Sequence, residues 1–115
     1  MFEQLVKKIV KAEKAAGQID VSLVNDRVIR KLNRDFRKKD KPTDVLAFPY
    51  GKDELSAGVI GDVIISRDTA RRNARRYGAS YQQEMKRLVI HGVLHVLGYD
   101  HGKEMSHAEK TYSQY

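Results

Sequence analysis

Gly58-Val59-Ile60-Gly61-Asp62-Val63-Ile64-Ile65-Ser66 is the stretch on which the fold turns. Val59, Ile60, Val63, Ile64 and Ile65 form a nearly continuous β-branched run, which predicts a strand buried on both faces. Ser66 is placed to cap a following helix that runs to about Tyr77, where Gly78 ends it.

Upstream, Asp44 to Tyr50 reads as a strand closed by Pro49, and Gly51 to Ser56 as a polar connection. Lys38 to Pro42 breaks the pattern, because Pro42 disfavours helix at Lys41. Before that break, Asn25 can cap a helix whose inner face carries Val28, Ile29, Leu32 and Phe36. Ile19 to Val24 alternates apolar and polar residues, as a half-buried strand does. Residues 2–16 repeat apolar side chains at helical spacing, at Phe2, Leu5, Val6, Ile9, Val10, Ala12 and Ala16, with Gly17 suited to a left-handed cap. Downstream, Ser80 with Gln83 resembles a capping box for the last long helix, about Tyr81 to Leu97, and the tail after His101 adds a final turn. The order helix, strand, helix, strand, strand, helix, helix predicts an α+β fold, a small sheet with helices packed against it. At 115 residues the chain is about one domain long, read as a single domain over 1–115.

With no cysteine, disulfides and thiolate metal sites are excluded, so any metal must use imidazole or oxygen ligands. The +7 net charge, 22 Lys and Arg against 15 Asp and Glu, suits polyanionic partners such as RNA, DNA or an acidic membrane face. No apolar run is long enough to span a membrane, and Met1-Phe2-Glu3-Gln4 lacks the features of a secretory signal. The expectation is a soluble, cytoplasmic protein.

Chemistry concentrates in His91-Gly92-Val93-Leu94-His95-Val96-Leu97-Gly98-Tyr99-Asp100-His101. His91 and His95 stand at i and i+4, so both rings leave one helix face about a turn apart and can grip one ion. Gly98 can take positive φ, end the helix and return His101 towards that ion. The plain alternative is that these are packed histidines. Leaving two such rings buried and unsatisfied would cost roughly 1–3 kcal/mol each, and a shared metal removes that penalty. Zinc suits three neutral imidazoles, with water in the fourth position at a pKa of about 7. The spacing matches that of metzincin proteases, but those enzymes carry their general-base Glu directly after the first His, where this chain has Gly92. Asp100 can orient His101 or a water, or can serve as a turn residue only.

Three motifs together resemble the YbeY family of bacterial endoribonucleases, which act in ribosomal RNA maturation and ribosome quality control. They are Leu32-Asn33-Arg34-Asp35-Phe36-Arg37 running into Lys39-Asp40-Lys41-Pro42-Thr43-Asp44-Val45-Leu46-Ala47-Phe48-Pro49, then Gly61 to Ser66, then His91 to His101. The resemblance implies a small mixed sheet surrounded by helices, with the zinc site at the end of the last long helix. Carried over by position, it makes His91, His95 and His101 both zinc ligands and catalytic residues, and Arg37 the functional arginine of an RNA-binding cleft near the metal. Zinc-dependent cleavage of single-stranded RNA, 16S ribosomal RNA above all, and small-subunit ribosomal components as partners follow from it. Against that family the chain looks shortened: it begins near the first helix, without an additional N-terminal strand, and stops soon after the third His. An open sheet edge is one result this allows.

Arg37 alone would read as a solvated arginine; with the resemblance it reads as a phosphate contact through its guanidinium fork, and Lys39 and Lys41 extend that substrate-binding patch. Arg67, Arg71, Arg72, Arg75 and Arg76 crowd one helix, with like charges at i, i+4 that either RNA phosphates or solvent must accommodate. Thr43, Asp44 and Ser66 need only capping and turn roles, His107 is expected to be exposed, and Tyr50, Tyr81 and Tyr99 read as packing residues with polar tips before they read as base-stacking platforms. Beside the nuclease stand two alternatives: a ribosome- or RNA-binding module whose metal is mainly structural, and a metalloprotease-like hydrolase.

Overall fold

The structure is a computed structural model that describes residues 2–51 and 58–115. Its order is α1 Glu3–Ala12, β1 Gln18–Val24, α2 Asp26–Arg37, β2 Val45–Pro49, β3 Val59–Ser66, α3 Arg67–Tyr77, α4 Tyr81–Val96 and α5 Lys103–Tyr112. This is the expected α+β arrangement. The polar connection read at Gly51 to Ser56 lies, Gly51 apart, outside the described residues.

β3 is the central strand of a mixed sheet ordered β1-β3-β2, parallel to β1 and antiparallel to β2. Its burial is one-sided, which corrects the expectation of a strand buried on both faces. Gly61, Val63 and Ile65 are buried, whereas Ile60, Asp62 and Ile64, on the other face of the pleat, are half-buried. The first set joins a core built from Leu5, Val6, Ile9 and Val10 of α1, Ile19 of β1 and Met85, Leu88, Val89 and Val93 of α4. α2 packs on β3 as well, burying Ile29 while Leu46 of β2 is buried outside the main core. The outer edges of β1 and β2 pair with no strand among the described residues, and that of β1 runs beside a groove of about 1170 Å³ shared with α1.

The local signals act where they were read. Asn25 accepts the Val28 N–H, Ser66 accepts the Thr69 N–H, and Ser80 with Gln83 forms a reciprocal capping box. Gly78 ends α3 in the left-handed region at φ +66°.

Three expectations need correction. α1 stops at Ala12 and is followed by Lys14 at φ +57°, while Gly17, also at positive φ (+131°), leads into β1 and does not cap the helix. On α2, Val28 and Phe36 are exposed, and the buried positions are Ile29 and Asn33. The buried face is the one packed on β3 and α3, and the side-chain amide of Asn33 is satisfied there by donating to the Lys41 carbonyl at 2.9 Å. The tail after His101 is no single turn but the ten-residue α5, anchored in the core by Met105, Ala108 and Tyr112.

Candidate metal centre

α4 presents His91 and His95 one turn apart, with ring centroids 4.6 Å from each other. The helix ends at Val96, and Gly98 adopts φ +101°, a left-handed conformation that costs glycine little. That turn returns His101 to 5.6 Å from the His91 ring and 4.9 Å from the His95 ring. One donor atom from each of the three lies within 4.8 Å of the others, close enough for all three to hold a single ion.

Burial, with His91 and His101 beside it, pushes His95 below its ordinary 6.5, which keeps the imidazole neutral with a lone pair to offer. On its outer side, His91 Nδ1 meets Glu109 Oε2 of α5 at 3.0 Å. Asp100, the carboxylate considered from the sequence, is exposed and acts on His95 through space. No local sequence signal marks Glu109, which lies eighteen residues beyond its partner on a separate helix.

A pocket of about 380 Å³ opens over the rings, walled by His91, Gly92, His95 and His101, by Thr43, Asp44, Val45, Ala47 and Pro49, and by Arg37. Arg37 closes α2, is exposed, and makes no ion pair among the described residues. Lys39 and Lys41 are exposed on the α2–β2 connection and do not line this pocket. Thr43 and Asp44, read as turn residues, form part of its wall. Asp44 Oδ1 accepts the Val45 N–H at 2.8 Å, and Oδ2 accepts from Asn73 at 3.2 Å. Asn73 also reaches buried Glu84, which Arg87 grips with two hydrogen bonds of 2.8 and 2.7 Å.

Gly92 has a steric reason to be glycine. A Cβ there would come within 2.5 Å of Val63 Cγ1 and 3.2 Å of Val45 Cγ2, so α4 lies against the sheet at the position where a metzincin needs its Glu. The larger groove beside β1 contains none of the histidines.

The other polar candidates have internal partners. Tyr99 donates to Glu13 at 2.8 Å, Tyr50 donates to Asp62, and Tyr81 lies 5.2 Å beneath the Arg71 guanidinium. Arg72 pairs with Asp26 at 2.7 Å, which eases the like-charge crowding on α3, and no residue of α3 walls the pocket. His107 is exposed, as expected.

The sequence profile of the family described as endoribonuclease YbeY matches residues 1–114. The chain belongs to the YbeY family. Curated relatives named endoribonuclease YbeY include one from Aquifex aeolicus, 52% identical over 86 residues that cover 75% of this chain and 57% of the relative. Another, from Myxococcus xanthus, is 50% identical over 98 residues, covering 81% and 33%, and one from Carboxydothermus hydrogenoformans is 45% identical over 104 residues, covering 90% and 72%. The chain thus spans about half and a third of the length of the first two. The solution structure of TM1509 from Thermotoga maritima superposes with a TM-score of 0.71 at 34% identity, covering 98% of this chain and 77% of that one. Among the described residues no helix is long and apolar enough to cross a membrane.

Proposed function

We propose that residues 1–115 form one zinc-dependent endoribonuclease domain that cuts single-stranded RNA in ribosomal RNA maturation and ribosome quality control. Its substrate in this reading is 16S ribosomal RNA, its partners are small-subunit ribosomal components, and its location is the cytoplasm. The observation that carries the reading is Arg37, a cation without an ion pair among the described residues, in one pocket with three convergent histidines. The names of the relatives and the +7 charge support RNA as the polyanion.

His91, His95 and His101 would hold the ion and leave its fourth position to water. Bound there, zinc supplies a Lewis acid to a phosphoryl oxygen and lowers the pKa of water. Arg37 offers its planar fork to the non-bridging phosphate oxygens and offsets the charge that grows on them during displacement. Lys39 and Lys41 contact the RNA backbone further from the reacting phosphate. Thr43 and Asp44 shape the wall opposite the histidines.

The test pairs elemental analysis of the purified protein with cleavage of a defined single-stranded RNA. Stoichiometric zinc and chelator-sensitive cutting are expected, lost in His91→Ala and Arg37→Ala while circular dichroism stays that of the parent. Variants that cut as fast as the parent would trace the activity to a contaminating nuclease.

One observation favours a second reading, an RNA-binding module with a mainly structural metal. Arg67, Arg75 and Arg76 are exposed on α3, which does not wall the pocket. That module would bind RNA with strong salt dependence and show no metal-dependent turnover.

A further inference from the structure

Imidazole can serve a metal through either ring nitrogen, and something must choose between them. In His91 the geometry bears on that choice. Nδ1 faces Glu109 Oε2 at 3.0 Å, and an ionised carboxylate only accepts hydrogen bonds, so the shared hydrogen belongs to the ring. Nε2 is then the nitrogen with the lone pair. We propose that Glu109 is a positioning residue of the metal centre, fixing His91 as the Nδ1–H tautomer, with Nε2 as the metal donor. The inference rests on the reading of the three histidines as a metal site.

Three features separate this from an ordinary helix–helix contact. Among the described residues, no other carboxylate hydrogen-bonds to any of the three rings. Glu109 also shares a cleft with two cations, Lys86 and Arg87, yet neither pairs with it. Lys86 donates to the Ser113 carbonyl at 3.1 Å, and Arg87 is engaged with Glu84, leaving His91 as the partner of Glu109. Finally, α5 is held rigidly where Glu109 leaves it. Met105, Ala108 and Tyr112 are buried in the core, and the Tyr112 hydroxyl donates to Glu13, which also accepts from Tyr99 in the chain segment leading to His101. Glu13 therefore ties both the helix that carries Glu109 and the loop that carries the third ligand to the end of α1. Glu109 does not wall the pocket over the rings, so it acts through His91 and not on the substrate. Carboxylates in this position orient the ring and raise its basicity as a ligand, and their loss typically weakens metal affinity 10–100-fold.

The test measures zinc affinity by competition with a chromophoric chelator for the parent, Glu109→Ala and Glu109→Gln. Glu109→Ala should bind zinc about 10–100-fold more weakly. Glu109→Gln, whose amide oxygen still accepts from Nδ1–H, should recover much of the loss. Nitrogen NMR of the metal-free parent at about pH 8, where imidazole is neutral, should show the hydrogen of His91 on Nδ1, and this needs no variant to fold. Affinity in Glu109→Ala within twofold of the parent, or a hydrogen on Nε2 of the metal-free ring, overturns the proposal. Failure of the parent itself to bind zinc would instead overturn the metal reading beneath it.

Discussion

Around Asp26 the polar groups close on themselves. Its carboxylate accepts from the Ser66 hydroxyl at 2.6 Å, the Thr69 hydroxyl at 2.7 Å and the Arg72 guanidinium at 2.7 Å, and it joins the first turns of α2 and α3. Around His91 the arrangement is the reverse: three nitrogen-bearing rings face one another 4.6–5.6 Å apart, and among the described residues the one carboxylate hydrogen-bonded to them stands behind His91. The first cluster balances donors against acceptors and charge against charge, which is what a structural network requires. The second gathers three imidazoles whose donor atoms lie within 4.8 Å of one another and could hold one metal ion. A candidate site differs from a brace in that way.

The sharpest way to break this comparison is to delete one member from each cluster. His101→Ala should abolish stoichiometric zinc binding, read by elemental analysis, and leave the melting temperature of the metal-free protein unchanged or higher, because one of three crowded rings is gone. Should His101→Ala instead melt well below the parent without metal, the ring would be a brace after all. Next in size is the contact that presses α4 onto the sheet. Gly92→Ala should cost about 1–3 kcal/mol in denaturant unfolding, since the added methyl must displace Val63. Ser66→Ala should cost about 1–2 kcal/mol, removing the cap of α3 and a donor to Asp26, with zinc affinity unchanged.

The smallest effects lie in pH. For His95 the folded pKa is below 6.5, so the unfolded chain binds more protons as the medium is acidified. Metal-free protein should hold its stability above 6.5 and lose it as pH falls below that value. Burial tends to raise the Asp26 carboxyl, but hydrogen bonds from Ser66, Thr69 and Arg72 together bring it below its ordinary 3.8. Its contribution is complete above 3.8 and disappears as pH falls through the lower folded value. Urea titrations across pH should therefore show two separate losses, the upper one steepened by zinc, which binds only deprotonated imidazoles, and the lower one flattened in Asp26→Asn.

Much of this was legible in the chain because it depends on neighbours in sequence. Asn25, Ser66 and Ser80 cap the helices they precede, since a cap needs only the next three residues. The amphipathic reading of α2 went astray for the opposite reason. Its apolar residues span a broad arc, and which part is buried is set by β3 and α3, which pack against it from elsewhere in the chain. Phe36 consequently lies exposed, edge-on to Phe48 at 5.3 Å. α5 was missed because its anchors, Met105, Ala108 and Tyr112, are a sparse apolar set among polar residues.

The convergence of three histidines that could hold one ion was readable from the chain alone. A helical period of 3.6 residues places His91 and His95 on one face, and a glycine three residues on permits the turn that brings back His101. Only the tertiary structure decided what stands around it: Arg37 over the pocket, Val63 against Gly92, and Glu109 behind His91. The physical reason is range. Positions within one helix and its cap follow from backbone geometry, whereas the partner that selects a ring nitrogen, or the strand that leaves no room for a side chain, is set by how separate elements pack.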